Sequence, residues 1–251
     1  MSEGSNSRKK TFGSRLTDIL GLLFLIFVCV VVFLPLVSRP GRPHISKAKL
    51  EEADLVNAIN AYYTEYARFP LADSTTVTNL DITCGIDPVP TQYFGHAYGN
   101  SGHSRLITTN SAVVIILMDL DFGVNAGHKS NPKQIKFLTT KIIDDTTSPG
   151  VSQIDHEYRD PWGTPYVITM DLNNDGLCSD YVYQQQAISQ TVKNSQIGFN
   201  SLSNSASTNG NSDNFYLHGK VMVWSAGPDK KFDAQIPANS GVNKDNVLSW
   251  Q

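Results

Sequence analysis

The sequence has little of what the common enzyme and nucleic-acid-binding classes require. Its three cysteines form no C-x-x-C pair, and no G-x-S-x-G, H-E-x-x-H or P-loop motif occurs among its 251 residues. The six histidines are scattered, and a surface or loop position explains them better than a metal site or a triad. A net charge of −3 supplies no strong positive field for nucleic acid. We therefore expect neither an enzyme nor a nucleic-acid-binding protein.

What the sequence does contain is one long apolar run, residues 19–37, without a charged residue. As a helix, these 19 residues rise about 28 Å, close to the roughly 30 Å core of a bilayer. A buried helix of a soluble core is the alternative, but an uncharged run of this length is typical of a membrane span. We expect a transmembrane anchor over residues 14–38, after a basic leader-like segment at 1–13 that favours a cytoplasmic N-terminus.

A second helical pattern follows the anchor. Pro35 falls inside the apolar run and is expected to kink that helix. Over residues 39–70, apolar side chains recur at helical spacing, which predicts an amphipathic continuation with one side against a core. That stripe consists of Leu55, Ile59, Tyr62, Tyr63 and Tyr66. Phe69-Pro70 is expected to end the helix, because a residue before proline avoids the helical conformation.

The remainder, residues 71–251, is predicted to be one globular domain with long loops. Enrichment in β-branched and aromatic residues predicts short antiparallel strands at Pro165–Met170, Tyr181–Tyr183 and Lys220–Trp224. The run at 111–120 fits either a buried helix or a central strand. Residues 184–214 are rich in Gln, Asn and Ser, and we expect a polar insertion without a core. These patterns predict an α+β fold, with a long kinked N-terminal helix on a small antiparallel β-sheet.

A short acidic segment resembles the first half of a calcium loop. Asp171, Asn173, Asp175 and the following Gly176 match D-x-[DN]-x-[DN]-G, in which oxygen ligands on alternate residues converge on one cation. The glutamate expected at the twelfth position is absent, and Asp180 at the tenth is a candidate substitute. The alternative is a hairpin turn stabilised by Asp and Asn side chains, which requires no metal.

Two cysteines lie outside the apolar run, in loop-like contexts. Cys84 and Cys178 would be able to pair if the domain lies in an oxidising compartment, and they would otherwise remain free thiols. The sequence leaves both alternatives open.

Three segments of the C-terminal half resemble the major (G-type) pseudopilins of type II secretion, which are type IV pilin-like proteins. They are the D-P-W-G-x-P-Y segment from Asp160 to Tyr166, the W-S-x-G-x-D segment from Trp224 to Asp229, and the tail from Asp245 to Trp250. Near the N-terminus, the resemblance places the last leader residue at Gly13 and the first mature residue at Ser14. The acidic fifth residue is then Asp18, and the proline at the twenty-second mature position is Pro35.

The resemblance implies a pilin-like form of this fold, cleavage between Gly13 and Ser14, and a role for Asp18 and Pro35 in filament assembly. It also implies calcium at Asp229 and Asp245. The chain departs from the family by carrying Ser14 where phenylalanine is usual, and Asp18 where glutamate is usual.

We therefore expect a single-pass inner-membrane protein with a periplasmic domain, which acts as a structural pilin-like subunit. The resemblance implies that its partners are other pilin-like subunits and the secretion or assembly machinery in that membrane. The alternative is a permanently anchored periplasmic binding protein, whose polar insertion and aromatic turns would bind a polymer or a glycan.

Overall fold

The computed structural model describes residues 20–28, 42–72, 80–86, 104–107, 109–193, 195–204 and 213–251. The chain divides into two compact units, Met1–Arg42 and Pro43–Gln251. In the first unit, residues 20–28 are helical. The large apolar side chains from Leu20 to Val28 are each between 40% and 69% exposed. Within the described ranges, no helix is both long enough and apolar enough to cross a membrane.

Helix α1 spans Arg42–Tyr66 and belongs to the second unit from Pro43 onwards. Pro43 lies in its first turn, where a proline costs no helical hydrogen bond. Leu55, Ile59 and Tyr62 are fully buried, so the helical stripe faces a core as its spacing predicts. The helix ends where Ala67 takes a positive φ of 53°.

The centre of this unit is a five-stranded sheet. Its strands are β1 Asp81–Cys84, β2 Ser104–Ile107, β6 Val167–Met170, β9 Val221–Ser225 and β10 Val247–Leu248. They lie side by side in the order β10-β9-β6-β1-β2. Strands β1 and β2 run parallel, and the other neighbouring pairs are antiparallel.

Both faces of this sheet are covered, because side chains that alternate along each strand point into two different cores. The first core lies between the sheet, α1 and the short buried helix α2, Ser111–Leu117. Its sheet residues are Ile82, Cys84, Ile168, Met170, Val221 and Val223. The second core is on the opposite face and includes Val167, Met222, Trp224 and Leu248.

The second core is covered by residues of the segment 184–214, which was expected to have no core. Within the described parts of residues 184–214, helix α3 spans Gln186–Ser189 and a 3₁₀ turn spans Phe199–Ser201. Ile188 and Leu202 are buried there together with Phe215. The prediction of a polar insertion without a core is therefore wrong, because a few well-spaced apolar residues are enough to cover a sheet face.

Smaller elements surround this centre. Strands β3 Ile142–Ile143, β4 Gly150–Ser152 and β5 Tyr158–Arg159 form one small sheet, and β7 Leu177–Cys178 pairs with β8 Leu217–His218 in another. Further 3₁₀ segments span Gly123–His128 and Gly241–Asp245.

The predicted fold class is wrong in two respects. The part of the chain that the structure describes contains no long kinked apolar helix at the N-terminus; its helical residues there are 20–28 and those of α1. The central sheet is mixed and larger than the small antiparallel sheet that was predicted. The additional strands β1 and β2 are four residues each: β1 alternates polar and apolar residues but is too short to indicate a strand by itself, and β2 does not alternate. The fold is mixed α/β, with several sheets.

The predicted strand at Tyr181–Tyr183 is a turn instead. The Asp180 carboxylate accepts the main-chain N–H groups of Val182 and Tyr183, each at 2.9 Å, and this folds the chain back on itself. The strand that leaves the loop at 171–176 is β7, which ends before this turn.

Candidate functional site at the end of the central sheet

The first two family-like segments meet at the carboxylate of Asp160, which is fully buried. One of its oxygens accepts the main-chain N–H groups of Trp162 and Thr164, each at 2.9 Å. The other accepts the hydroxyl of Ser225 at 2.5 Å. The hydroxyl oxygen of Ser225 in turn accepts the N–H of Gly227 at 3.0 Å. One aspartate therefore fixes the turn before β6 to the end of β9.

The second and third segments meet at Gly227. Its φ is +71°, and a Cβ added there would lie 2.2 Å from the carbonyl oxygen of Asp245. Next to this contact, β10 pairs antiparallel with β9, so Val247 lies opposite Ser225. Only glycine permits this close approach, so the three sequence segments form one continuous structure at this end of the sheet.

Asp229 and Asp245, the predicted calcium ligands, lie close together in this structure. Burial and the nearby charge of Asp229 raise the pKa of Asp245. One carboxylate oxygen of Asp245 is buried without a hydrogen-bond partner. In the described part of the chain, neither Lys230 nor Lys231 forms an ion pair with these carboxylates. Two neighbouring carboxylates with an unpaired oxygen suit a hard cation such as Ca²⁺.

The loop at 171–176 holds the other predicted calcium ligands. The Asp171 carboxylate accepts the N–H of Asp175 at 3.2 Å and that of Gly176 at 2.9 Å. The Asn173 side-chain oxygen also accepts the N–H of Asp175, at 3.1 Å. These bonds are those of a turn stabilised by Asp and Asn side chains. They also place Asp171, Asn173 and Asp175 on one short loop.

Asp180 does not belong to that loop. Its carboxylate is fully buried and accepts hydrogen bonds from the Thr169 hydroxyl at 2.6 Å and the Trp224 indole N–H at 3.2 Å, besides the two main-chain groups of its own turn. Because these donors occupy both of its oxygens, its assignment as a calcium ligand is wrong. Asp180 is a core residue that joins the sheet to its covering layer.

Calcium itself stays a prediction. Within the described ranges, no three Asp, Glu, His or Cys side chains already converge as a metal site. The processing and assembly residues Gly13, Ser14, Asp18 and Pro35 lie outside the described residues.

Cys84 and Cys178 are both buried free thiols, so the structure contradicts a disulfide between them. The reason is the sheet itself. Cys84 points into the core on the α1 side, whereas Cys178 belongs to the core on the opposite face. Burial raises the pKa of the Cys84 thiol to about 12 and that of Cys178 well above its usual range. Neither thiol is therefore reactive in the folded protein.

A buried acid on α1 was not predicted. Glu52 is fully buried, and neither of its carboxylate oxygens has a hydrogen-bond partner. Burial raises its pKa to about 9, and the charges of Asp160 and Glu51 add to that effect, whereas Lys49 opposes it. The only available signal in the sequence was its position between the apolar residues Ala48 and Leu55, on the buried side of the helix.

Replacing Glu52 with methionine is expected to stabilise the protein at alkaline pH. The folded pKa of about 9 exceeds the ordinary value of 4.5. The contribution of the Glu52 carboxyl to the free energy of unfolding is therefore fully present below about pH 4.5. That contribution is lost as the pH rises through 9. The uncharged thioether of the Glu52→Met variant has no such loss. We expect a gain of about 1–4 kcal/mol at pH 9, measured by thermal unfolding in detergent at several pH values.

The matched control is Glu65→Met, because Glu65 is a partly exposed residue of the same helix, paired with Lys133. This variant should keep the pH dependence of the wild type. A Glu52→Met protein that lost stability with pH as steeply as the wild type would show that Glu52 is not the titrating group.

A second feature of the described surface is an open cleft of about 520 Å³. The rings of Phe122 and His156 stack at its side, 4.7 Å apart and 16° from parallel. Nearby, His128 is bound through Nδ1 to the Asp119 carboxylate at 2.8 Å. The φ angles of Asp119, His128 and His156 are all positive, which is unusual for residues other than glycine. Cleft and strained backbone together make this a candidate binding site.

Comparison with known proteins adds no family assignment. The chain matches no protein-family model, no curated protein is significantly similar to it, and no solved structure matches it. The resemblance to pseudopilins therefore depends on the residues quoted above.

Proposed function

We propose that this protein is a membrane-anchored structural subunit, similar in role to the pseudopilins of type II secretion, which associates with other copies and with an inner-membrane assembly machine. The observation that carries the proposal is the contact between the three family-like segments. Asp160 binds Ser225, 65 positions away, at 2.5 Å, and Gly227 packs on the main chain of Asp245. Residues that resemble one family in sequence thus also act together in the fold.

The apolar run at 19–37 supports the anchoring part of the proposal. Its described part, residues 20–28, is a helix with all of its large apolar side chains substantially exposed. Exposed apolar surface of this kind suits either lipid or the helices of neighbouring subunits. A filament would bury it by bundling the anchors of successive copies, with the domains packed outside.

The N-terminus and the association state of the protein from its own membranes test this proposal. We expect a mature chain that begins at Ser14 and a ladder of multimers after chemical cross-linking. Asp18→Asn is expected to remove most of the ladder while the protein stays in the membrane, because the acidic group would no longer face the free amine of a neighbour.

The control variant Asp145→Asn makes the same substitution at an exposed loop of the domain and should leave the ladder intact. An intact Met1 or Ser2 start, together with a protein that cross-links only as a monomer, would contradict the proposal.

The alternative is a permanently anchored binding protein, and the cleft beside Phe122 and His156 favours it. A stacked aromatic pair next to Asp119 and Gln153 combines an apolar platform with hydrogen-bonding groups, which is the chemistry that a glycan requires. A set of soluble oligosaccharides tests it by NMR or calorimetry. Binding that Phe122→Ala abolishes would favour this alternative, whereas no binding at millimolar concentration would count against it.

A further inference from the structure

A buried carboxylate beside the loop at 171–176 has a well-formed hydrogen bond on only one of its two oxygens. Asp81 begins strand β1 and is 1% exposed. One of its oxygens accepts the N–H of Ser179 at 2.6 Å, whereas the other is buried without a well-formed hydrogen bond, since the N–H of Leu172 acts on this carboxylate only weakly. An ionisable oxygen left in this state is costly, so the structure around it calls for a further group.

Other acids lie beside this oxygen. Ile82 pairs with Met170 in the antiparallel register of β1 and β6, so Asp81 lies next to Asp171, where the acidic loop begins. The charge of Asp175, on the same loop, also acts on Asp81. No ion pair reaches any of these three carboxylates in the part of the chain that the structure describes. The nearby Lys220 places its ammonium 3.7 Å from the centre of the Tyr63 ring instead. Three neighbouring acids therefore lack a neutralising cation.

We propose that Asp81, which is far away in sequence but lies on the neighbouring strand β1, completes a calcium site with Asp171, Asn173 and Asp175. Carboxylate and amide oxygens are the ligands that Ca²⁺ prefers, and Asp81 supplies the carboxylate that the loop itself lacks after Gly176. It takes the place of Asp180, whose oxygens are occupied in the core. Since the described acids do not yet converge as a metal site, Ca²⁺ has to draw the exposed side chains of Asn173 and Asp175 inward.

The site would link three elements of the domain. Asp81 belongs to β1, and the loop connects β6 to β7. The loop also contacts helix α1, since the Tyr63 hydroxyl donates to the Asn174 side chain at 2.7 Å. Calcium bound here would hold helix α1 and strand β1 to the same loop. Calcium binding at this site does not require that the protein forms a filament.

Calcium titration of the full-length protein in detergent micelles tests it, by calorimetry with CaCl₂ and by thermal unfolding. At a calcium concentration about 100 times Kd, the wild-type melting temperature is expected to rise by about 5–10 °C. Asp81→Asn should bind Ca²⁺ at this site about 10- to 100-fold more weakly. Without calcium it should melt at the same temperature as the wild type or higher, because the amide removes a buried charge but keeps the shape.

Asp245→Asn serves as the matched control, because it removes a ligand of the separate C-terminal calcium prediction. In that background the calcium response of the 171–176 loop should persist, and adding Asp81→Asn should abolish it. Calcium binding that Asp81→Asn leaves unchanged would overturn the proposal, as would an Asp245→Asn protein without any response to millimolar CaCl₂.

Discussion

Replacing Asp180 with alanine is expected to lower the free energy of unfolding by about 4–5 kcal/mol. The substitution leaves three buried donors without an acceptor, namely the Trp224 indole N–H and the N–H groups of Val182 and Tyr183. The Thr169 hydroxyl also loses its bond to Asp180 and keeps only its contact with the Thr83 hydroxyl at 2.9 Å. Each such group costs about 1–3 kcal/mol when it is buried unpaired, although water entering the cavity reduces the sum. Thermal or urea unfolding of the full-length protein in detergent, followed by tryptophan fluorescence, measures the loss.

Two variants complete the experiment. Asp180→Asn keeps one oxygen for the main-chain donors but presents an amide N–H to the indole, so we expect an intermediate loss. Asp213→Ala removes an exposed aspartate that accepts a single main-chain N–H, from Gln186 at 2.9 Å, and should cost less than about 1 kcal/mol. If Asp180→Ala proved no more destabilising than Asp213→Ala, the buried network would not be what joins the covering layer to the sheet.

Replacing Asp160 with alanine is the second large effect that we expect, a loss of about 3–4 kcal/mol. The carboxylate accepts two main-chain N–H groups of its own turn and the Ser225 hydroxyl, and it thereby links the turn to the end of β9. Ser225→Ala removes the link between the two segments and the acceptor of the Gly227 N–H, but keeps the turn at Asp160, and should cost about 2 kcal/mol. Unfolding followed by the same fluorescence signal gives both values.

The comparison residue is Asp145, which forms a similar turn in an exposed loop by accepting the N–H groups of Thr147 and Ser148 at 2.7 and 2.6 Å. Asp145→Ala should have only a small effect, because water replaces the lost acceptor. Asp160→Ala and Ser225→Ala proteins as stable as the wild type would mean that the contact between the family-like segments does not stabilise the fold. The structural support for the proposed function would then be lost.

The buried acidic residues differ in role. Asp160 and Asp180 stabilise the fold because donors surround them, whereas Asp81 lacks a well-formed hydrogen bond on one oxygen and has other acids beside it. Hydrogen-bond donors stabilise the charged form of a carboxylate even when no metal is bound. Neighbouring acids destabilise that charged form. The same side-chain chemistry thus serves structure in two places and calcium binding, as we propose, in a third.

The sequence by itself determined the elements whose residues repeat regularly. The apolar stripe of α1 predicted its buried side, because 3.6-residue periodicity is a local property. Strands β6 and β9 followed from their β-branched and aromatic residues, and the turn at Asp160 from Pro161 and Gly163. The acidic loop at 171–176 was also visible, since its residues are consecutive.

Only the tertiary structure decided what depends on residues far apart in the chain. It decided that β1 and β2 extend the sheet in parallel, because such pairing has no signature within four residues. It separated Cys84 from Cys178, since the two thiols lie on opposite faces of that sheet. It placed Asp180 in the core and Asp81 beside the acidic loop, 90 positions before Asp171. The sequence lists the acids in order, but their partners, and therefore their charges and roles, are set by which strands and turns meet in three dimensions.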